Sequence, residues 1–164
     1  MTPVTTRGGA IMGWTDFYRR RDALDAVLRV AAGDPAAPLT FDRDLFATEE
    51  DLLLALHYRW MRQLTGRLGT ALEDTDDDRV ETVTRTWRVL AAEQPVLRAV
   101  LDAHLTSTEA IEREQRLLAL TAGLAELSEP TAEITRVGAA FAGLIRSAPA
   151  TIVPGRRRRL ARSA

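Results

Sequence analysis

From Leu53 to Leu72 an apolar side chain returns every third or fourth residue, at Leu53, Leu56, Trp60, Leu64, Leu68 and Leu72. A strand would alternate its faces every second residue, so this spacing fits a helix, and its length asks for about five turns without interruption. Leu54, His57 and Met61 broaden the stripe, which predicts a helix buried on more than one side. Thr48-Glu49-Glu50-Asp51 supplies the start signal: a hydroxyl for the first free amides and, three residues on, a carboxylate to reach back. The helix is therefore expected from Thr48 as its cap to about Glu73.

The same period recurs along the rest of the chain. Thr15 is expected to cap a first helix over 16–32, with Phe17, Leu24, Val27, Leu28 and Ala31 inward and Gly33 and Pro35 behind it as stop signals. A third helix, reaching about Gln94, should turn Val80, Val83, Trp87 and Leu90 inward, with Asp74, Asp76, Asp77 and Asp78 near its positive end. Pro95 breaks or kinks that helix. A fourth follows over 96–105 with Leu97, Val100, Leu101 and His104 on one side. Thr106-Ser107-Thr108-Glu109 opens a fifth over 107–127, with Ile111, Leu117, Leu118 and Leu124 inward. Pro130 suits the first turn of a sixth, over 130–147. No segment alternates as a strand does. The expected fold class is all-α: a single-domain helical bundle of about six helices over 14–148, with a flexible arm at 1–13, an irregular loop at 33–47 and a disordered Arg-rich tail at 149–164.

A chain of 164 residues is long enough for one domain with a real core. It has no cysteine, which excludes disulfides and thiolate metal sites. All 22 basic residues are arginine, and Arg156, Arg157, Arg158, Arg159 and Arg162 fall in an acid-free C-terminal stretch, so the body is mildly acidic against a net charge of −1. Such a body is not a nucleic-acid-binding surface overall. No apolar run approaches the ~20 residues that span a bilayer, and the N-terminus lacks the layout of a signal peptide. A cytoplasmic location is expected. Neither histidine sits in a Glu-x-x-His or His-Glu-x-x-His pattern, no Gly-rich phosphate loop occurs, and Ser107, Ser128, Ser147 and Ser163 lack a nucleophile's context. No catalytic residue, metal ligand or cofactor is assigned, and enzymatic activity is not expected. The four aspartates at 74–78 lack the glycine and distal glutamate of a calcium loop and read as a solvated turn.

The stretch Leu45-Phe46-Ala47-Thr48-Glu49-Glu50-Asp51-Leu52-Leu53-Leu54-Ala55 resembles a specific place in the tetracycline-repressor-like (TetR) family. There a phenylalanine closes the DNA-binding head, a Ser or Thr caps the linking helix, and an acid and leucines follow; here Phe46, Thr48, Asp51 and Leu52 hold those places, with Glu49 where the family usually has lysine. The segment from Trp87 to Leu101, through Glu93-Gln94-Pro95-Val96-Leu97-Arg98, is similar to the family's segment in which a helix meets a proline. The resemblance covers roughly residues 14–147 and implies the family's ligand-binding and dimerisation part. A helix-turn-helix needs on the order of 20 residues after the first helix, and 33–47 is shorter and contains Pro35 and Pro38. The head is therefore expected to be shortened or lost, and DNA binding is transferred to no residue.

On that resemblance, His57, Trp60, Met61, Trp87 and His104 would line a small-molecule pocket, an arrangement that requires both imidazoles to face one cavity. A core histidine satisfied by one hydrogen bond is the commoner situation for His57. Ile134, Val137, Gly138, Phe141, Leu144 and Ile145 would form a homodimer interface on the sixth helix, with Gly138, Ala139, Ala142 and Gly143 admitting a close partner; the alternative is that this face is covered within the monomer. Two functions follow as expectations. One is a regulator-type helical protein that senses a small ligand or binds a partner and dimerises through its last two long helices. The other is a non-enzymatic protein-interaction adaptor, solid in its core, docking a larger partner through the first helix and the loop 33–47. An enclosed cavity near His57 and Trp87 would favour the first, and a solid core the second.

Overall fold

The computed structural model describes residues 8–73 and 78–147, with the backbone only over 8–12. Among these residues the chain is all-helical, as expected: α1 (Gly8–Ala31), α2 (Glu49–Glu73), α3 (Arg79–Glu93), α4 (Pro95–His104), α5 (Thr108–Thr121) and α6 (Thr131–Ser147). None of these helices is long and apolar enough to cross a membrane. The arginines at 156–159, the remainder of the tail, and Asp74, Asp76 and Asp77 lie outside the described residues.

The capping signals at Thr48 and Ser107 act where the sequence placed them. Thr48 Oγ1 accepts from the Asp51 N–H at 3.1 Å, and Asp51 Oδ2 accepts from the Thr48 N–H at 3.1 Å, the reciprocal pair that starts α2. Asp78 Oδ1 accepts from Val80 N–H at 2.8 Å at the head of α3, and Ser107 Oγ from Ala110 N–H at 3.4 Å at the head of α5. Gln94 closes α3 by donating its N–H to the Leu90 carbonyl at 2.9 Å, and Pro95, with no N–H to lose, opens α4. The Pro130 carbonyl accepts from Glu133 and Ile134, placing the start of α6 one residue later than expected.

Two ends differ from expectation. α1 begins at Gly8, within the stretch read as an arm, and Thr15 lies inside it rather than capping it. A glycine costs a helix about 1 kcal/mol relative to alanine but, unlike proline, removes no hydrogen bond, so Gly8, Gly9 and Gly13 do not stop the turns around Ala10-Ile11-Met12. α5 ends at Thr121, short of the expected 127. Gly123 takes φ 69°, donating to the Leu120 carbonyl at 3.2 Å while Leu124 donates to Ala119 at 2.9 Å. This is the paired closure that a left-handed glycine permits. It turns Leu124, expected inward, to the surface.

α2 is the axis of the bundle and touches α1, α3, α4 and α5. Its stripe is broadened by Leu52 and His57: Leu52, Leu53, Leu56, His57, Trp60, Leu64 and Leu68 are all buried, whereas Met61 is half-buried and Leu54, expected inward, faces outward with Tyr58. Val83, Trp87 and Leu90 of α3 and Leu97, Val100 and Leu101 of α4 complete the core around it. The loop 33–47 is irregular, held by turns at Asp34 and Asp42, and inserts Phe46 fully into the core with Leu39, Phe41 and Leu45 partly buried behind it. No helix forms there, so no helix-turn-helix lies between α1 and α2.

α5 and α6 pack along each other more extensively than any other pair of described helices. Gly138 makes this approach workable, since a Cβ at that position would overlap the Gln115 backbone carbonyl. The expected dimer face is thereby largely covered within the chain. Ile134, Gly138, Phe141 and Ile145 are buried within the chain, Val137 is half-buried against the same helix, and Leu144 remains exposed. The small residues of α6 accommodate α5 of the same chain.

Candidate functional site

Two regions concentrate chemistry that an ordinary apolar core does not need. The first is buried between α2, α3, α4 and α5. Arg98 projects from the apolar face of α4, one residue after Leu97 and three before Leu101, and Glu114 projects from the inward face of α5, four residues from both Ala110 and Leu118. Both are buried. Arg98 Nη1 donates to the two Glu114 oxygens at 3.3 Å each, and Trp87 Nε1 donates to Glu114 Oε1 at 3.0 Å. Arg98 also holds Asp102 Oδ1, from Nε at 3.1 Å and from Nη2 at 2.8 Å. Its guanidinium carbon lies 4.8 Å from the centre of the Trp60 ring, and the two tryptophans meet edge to face at 5.7 Å. His57 Nε2 stands 3.7 Å from Glu114 Oε2, beyond hydrogen-bond distance.

Burial pushes the Glu114 carboxyl upward, yet His57, the Arg98 charge, the Trp87 N–H and the more distant Arg146 charge outweigh it, and its pKa falls to about 2. A carboxylate held there stays ionised at neutral pH, with its oxygens occupied by Arg98 and Trp87. It is poorly matched to carrying a proton in general acid–base catalysis. Its chemistry is that of a fixed anion neutralising a buried arginine, a pairing whose rupture costs roughly 3–5 kcal/mol.

The expected pocket residues do not converge on one cavity. Trp60 and Trp87 are packed against each other and against Arg98, with Trp60 at 0% exposure. His57 and Met61 share an open groove of about 670 Å³ between α2 and α5, with Leu54, Tyr58, Arg62 and Arg113 around it. His104 lies elsewhere: its Nε2 is 2.9 Å from the Pro35 carbonyl, which ties the loop 33–47 to α4, and its Nδ1 is 3.6 Å from Glu49. A carbonyl can only accept, so Nε2 carries the proton. The two imidazoles serve different structures.

The second region lies outside, where α1 crosses α2. Phe17, expected inward, is 53% exposed, and Trp14, Tyr18 and Tyr58 are likewise exposed. The inward residues of α1 are confined to its second half, at Leu24, Val27 and Ala31. Between the helices runs an open groove of about 760 Å³, floored by Phe17, Leu24, Ala55 and Tyr58 and edged by Arg20, Arg21, Arg59 and Arg62. Arg59 is paired with Asp25. Arg20 lies over the Phe46 ring and Arg21 over the Tyr18 ring, and neither they nor Arg62 has a carboxylate partner among the described residues. Tyr58 and Arg62 form a ridge shared by this groove and the one reaching His57.

The sequence reading passed over Arg98 and Glu114. The signal was present: a charge centred in the apolar stripe of each of two successive helices, of opposite sign, which only pairing can reconcile with burial. The groove was not legible, since helical spacing placed Phe17 inward with Leu24. Among the described residues no cluster of metal-ligating side chains forms. No family model, curated protein or solved structure matches this chain.

Proposed function

We propose that this protein is a non-enzymatic interaction module that docks a protein partner on the outer face of α1 and α2. The observation carrying the reading is the contrast between Trp60, Trp87, Arg98 and Glu114, packed against one another beside a cleft of about 130 Å³, and Trp14, Phe17, Tyr18 and Tyr58, held in water on α1 and α2. Aromatic residues supply large contact area at low entropic cost and are enriched at protein interfaces, while a contiguous exposed set is uncommon without a partner. The test is site-specific photocrosslinking in the producing cells, with a photoreactive residue replacing Phe17 or, as a control on α3, exposed Val89. Discrete protein adducts from position 17 and not from 89 are expected. Equal labelling from both positions, or none from 17, contradicts the reading.

A second reading, a regulator-type sensor of a small molecule that acts as a homodimer, has one observation in its favour: the groove of about 670 Å³ with His57 in its wall and Met61 beside it. It predicts a metabolite that raises the melting temperature of the wild type and not of Met61→Glu. A metabolite screen without such a compound removes it.

A further inference from the structure

We infer that the partner's docking segment is an acidic amphipathic helix, seated with its apolar face on Phe17, Leu24 and Tyr58 and its carboxylates against Arg20, Arg21 and Arg62. The inference rests on the interaction-module reading and deepens it by naming the partner's chemistry. Each of those three guanidinium groups lacks a carboxylate partner among the described residues, as do exposed Arg29 and Arg43, whereas Arg113 pairs with Glu109 and Arg136 with Glu133; the three are set apart by flanking one apolar floor. The positive charge at the groove is therefore unspent, and it flanks an apolar floor instead of covering it. A helix laid in such a groove presents apolar anchors at i, i+3 or i+4 and i+7, and carboxylates along the two borders of that stripe meet the arginines on either wall. Guanidinium groups resting on rings are pre-oriented for carboxylates, which they bind through two parallel N–H donors.

Other occupants fit less well. The chain's own terminal segments, 1–7 and 148–164, contain no acidic residue, and the second carries the arginine cluster. A second copy of the chain would bring a like-charged groove against this one. A nucleic acid would leave Leu24 and Ala55 without apolar contact.

The test uses the full chain and a fluorescein-labelled helical peptide with leucine and phenylalanine at heptad-like spacing and glutamate on both borders, read by fluorescence anisotropy. The same peptide with lysine for glutamate, phosphatidylglycerol vesicles and single-stranded RNA are run in parallel. The acidic peptide is expected to bind, with affinity falling as salt rises and about tenfold or more in Arg21→Glu/Arg62→Glu, a change that circular dichroism should show leaves the fold intact. Tyr58→Ser, which touches the floor and not the charge, should weaken binding without altering its salt slope. No binding of the acidic peptide, equal binding of the lysine peptide, tighter binding of vesicles or RNA, or sedimentation of the chain as a dimer through this face overturns the inference. Crosslinks at position 17 to a partner whose segment is basic would sink the inference and leave the interaction module standing; no crosslinks at 17 would sink both.

Discussion

Arg98 and Arg62 differ in their surroundings: one is buried over a tryptophan with two carboxylates in attendance, the other stands exposed on a ridge of α2 with none among the described residues. Both are arginines beside aromatic rings or apolar side chains. The inner one has spent its donors on Glu114 and Asp102 and stabilises the bundle; the outer one keeps its donors free at negligible cost because water solvates it. The same chemistry is structural where it is desolvated and satisfied, and available for recognition where it is wet and unpaired. That difference predicts opposite mutational profiles for the two regions.

The largest effect should follow Glu114→Ala. It removes the buried one of the two carboxylate partners of Arg98, leaving half-exposed Asp102, and should cost about 3 kcal/mol in urea denaturation, the low end for breaking a buried pair. A loss below about 1 kcal/mol would mean that water already screens the pair, and the inner region would no longer differ in kind from the outer one. Next comes acid. Glu114 titrates at about 2 in the folded chain against an ordinary value of 4.5, so its contribution is complete above about pH 4.5 and is lost as pH falls toward 2. The shift corresponds to something on the order of 3 kcal/mol. Melting temperatures followed from pH 6 down to pH 2 should fall more steeply for the wild type than for Glu114→Gln, and parallel curves would show that the carboxylate is not the group held down.

Gly138→Ala should cost about 1–3 kcal/mol, at the upper end because the obstruction is the Gln115 backbone and not a side chain that can swing away. A dimer held by α6 would make that loss depend on protein concentration; the intrachain packing described here makes it independent. Removing the cap with Thr48→Ala should cost about 1 kcal/mol. The smallest effect on stability, within about 0.5 kcal/mol, is expected for Phe17→Ser, the substitution that should most damage docking. Stability from thermal melts and crosslinking yield at a neighbouring position separate the two outcomes.

Much of the bundle could be read from the sequence because its signals are local. The repeat from Leu53 to Leu72, the reciprocal cap of Thr48 and Asp51 and the break at Gln94-Pro95 each act within a few residues of where they are written. What escaped depends on which surfaces meet. Phe17 has helical spacing with Leu24, but only the second half of α1 reaches the core, and spacing cannot report where a helix leaves its neighbours. The α6 stripe reads as a homodimer interface with intrachain packing as the alternative, and the Gly138 contact with Gln115 of α5 spans residues the periodicity does not connect. His57 and His104 both fell on inward faces, yet one turns to Glu114 and the other to Pro35, because a face leaves the partner unspecified. The turn at Gly123 was legible in principle from the Ala122-Gly123-Leu124 sequence and was overridden by a longer apolar pattern.

Native-state hydrogen exchange of the unliganded chain tests the contrast most directly. Amides of α1 from Trp14 to Asp22, whose side chains are exposed, should exchange through local opening, far faster than those of Leu56–Leu64, Trp87–Leu90 and Leu97–Leu101, which should open only with the whole bundle. Equal protection across both sets would mean that the α1 face is already covered, and the division between a sealed interior and a waiting surface would fail.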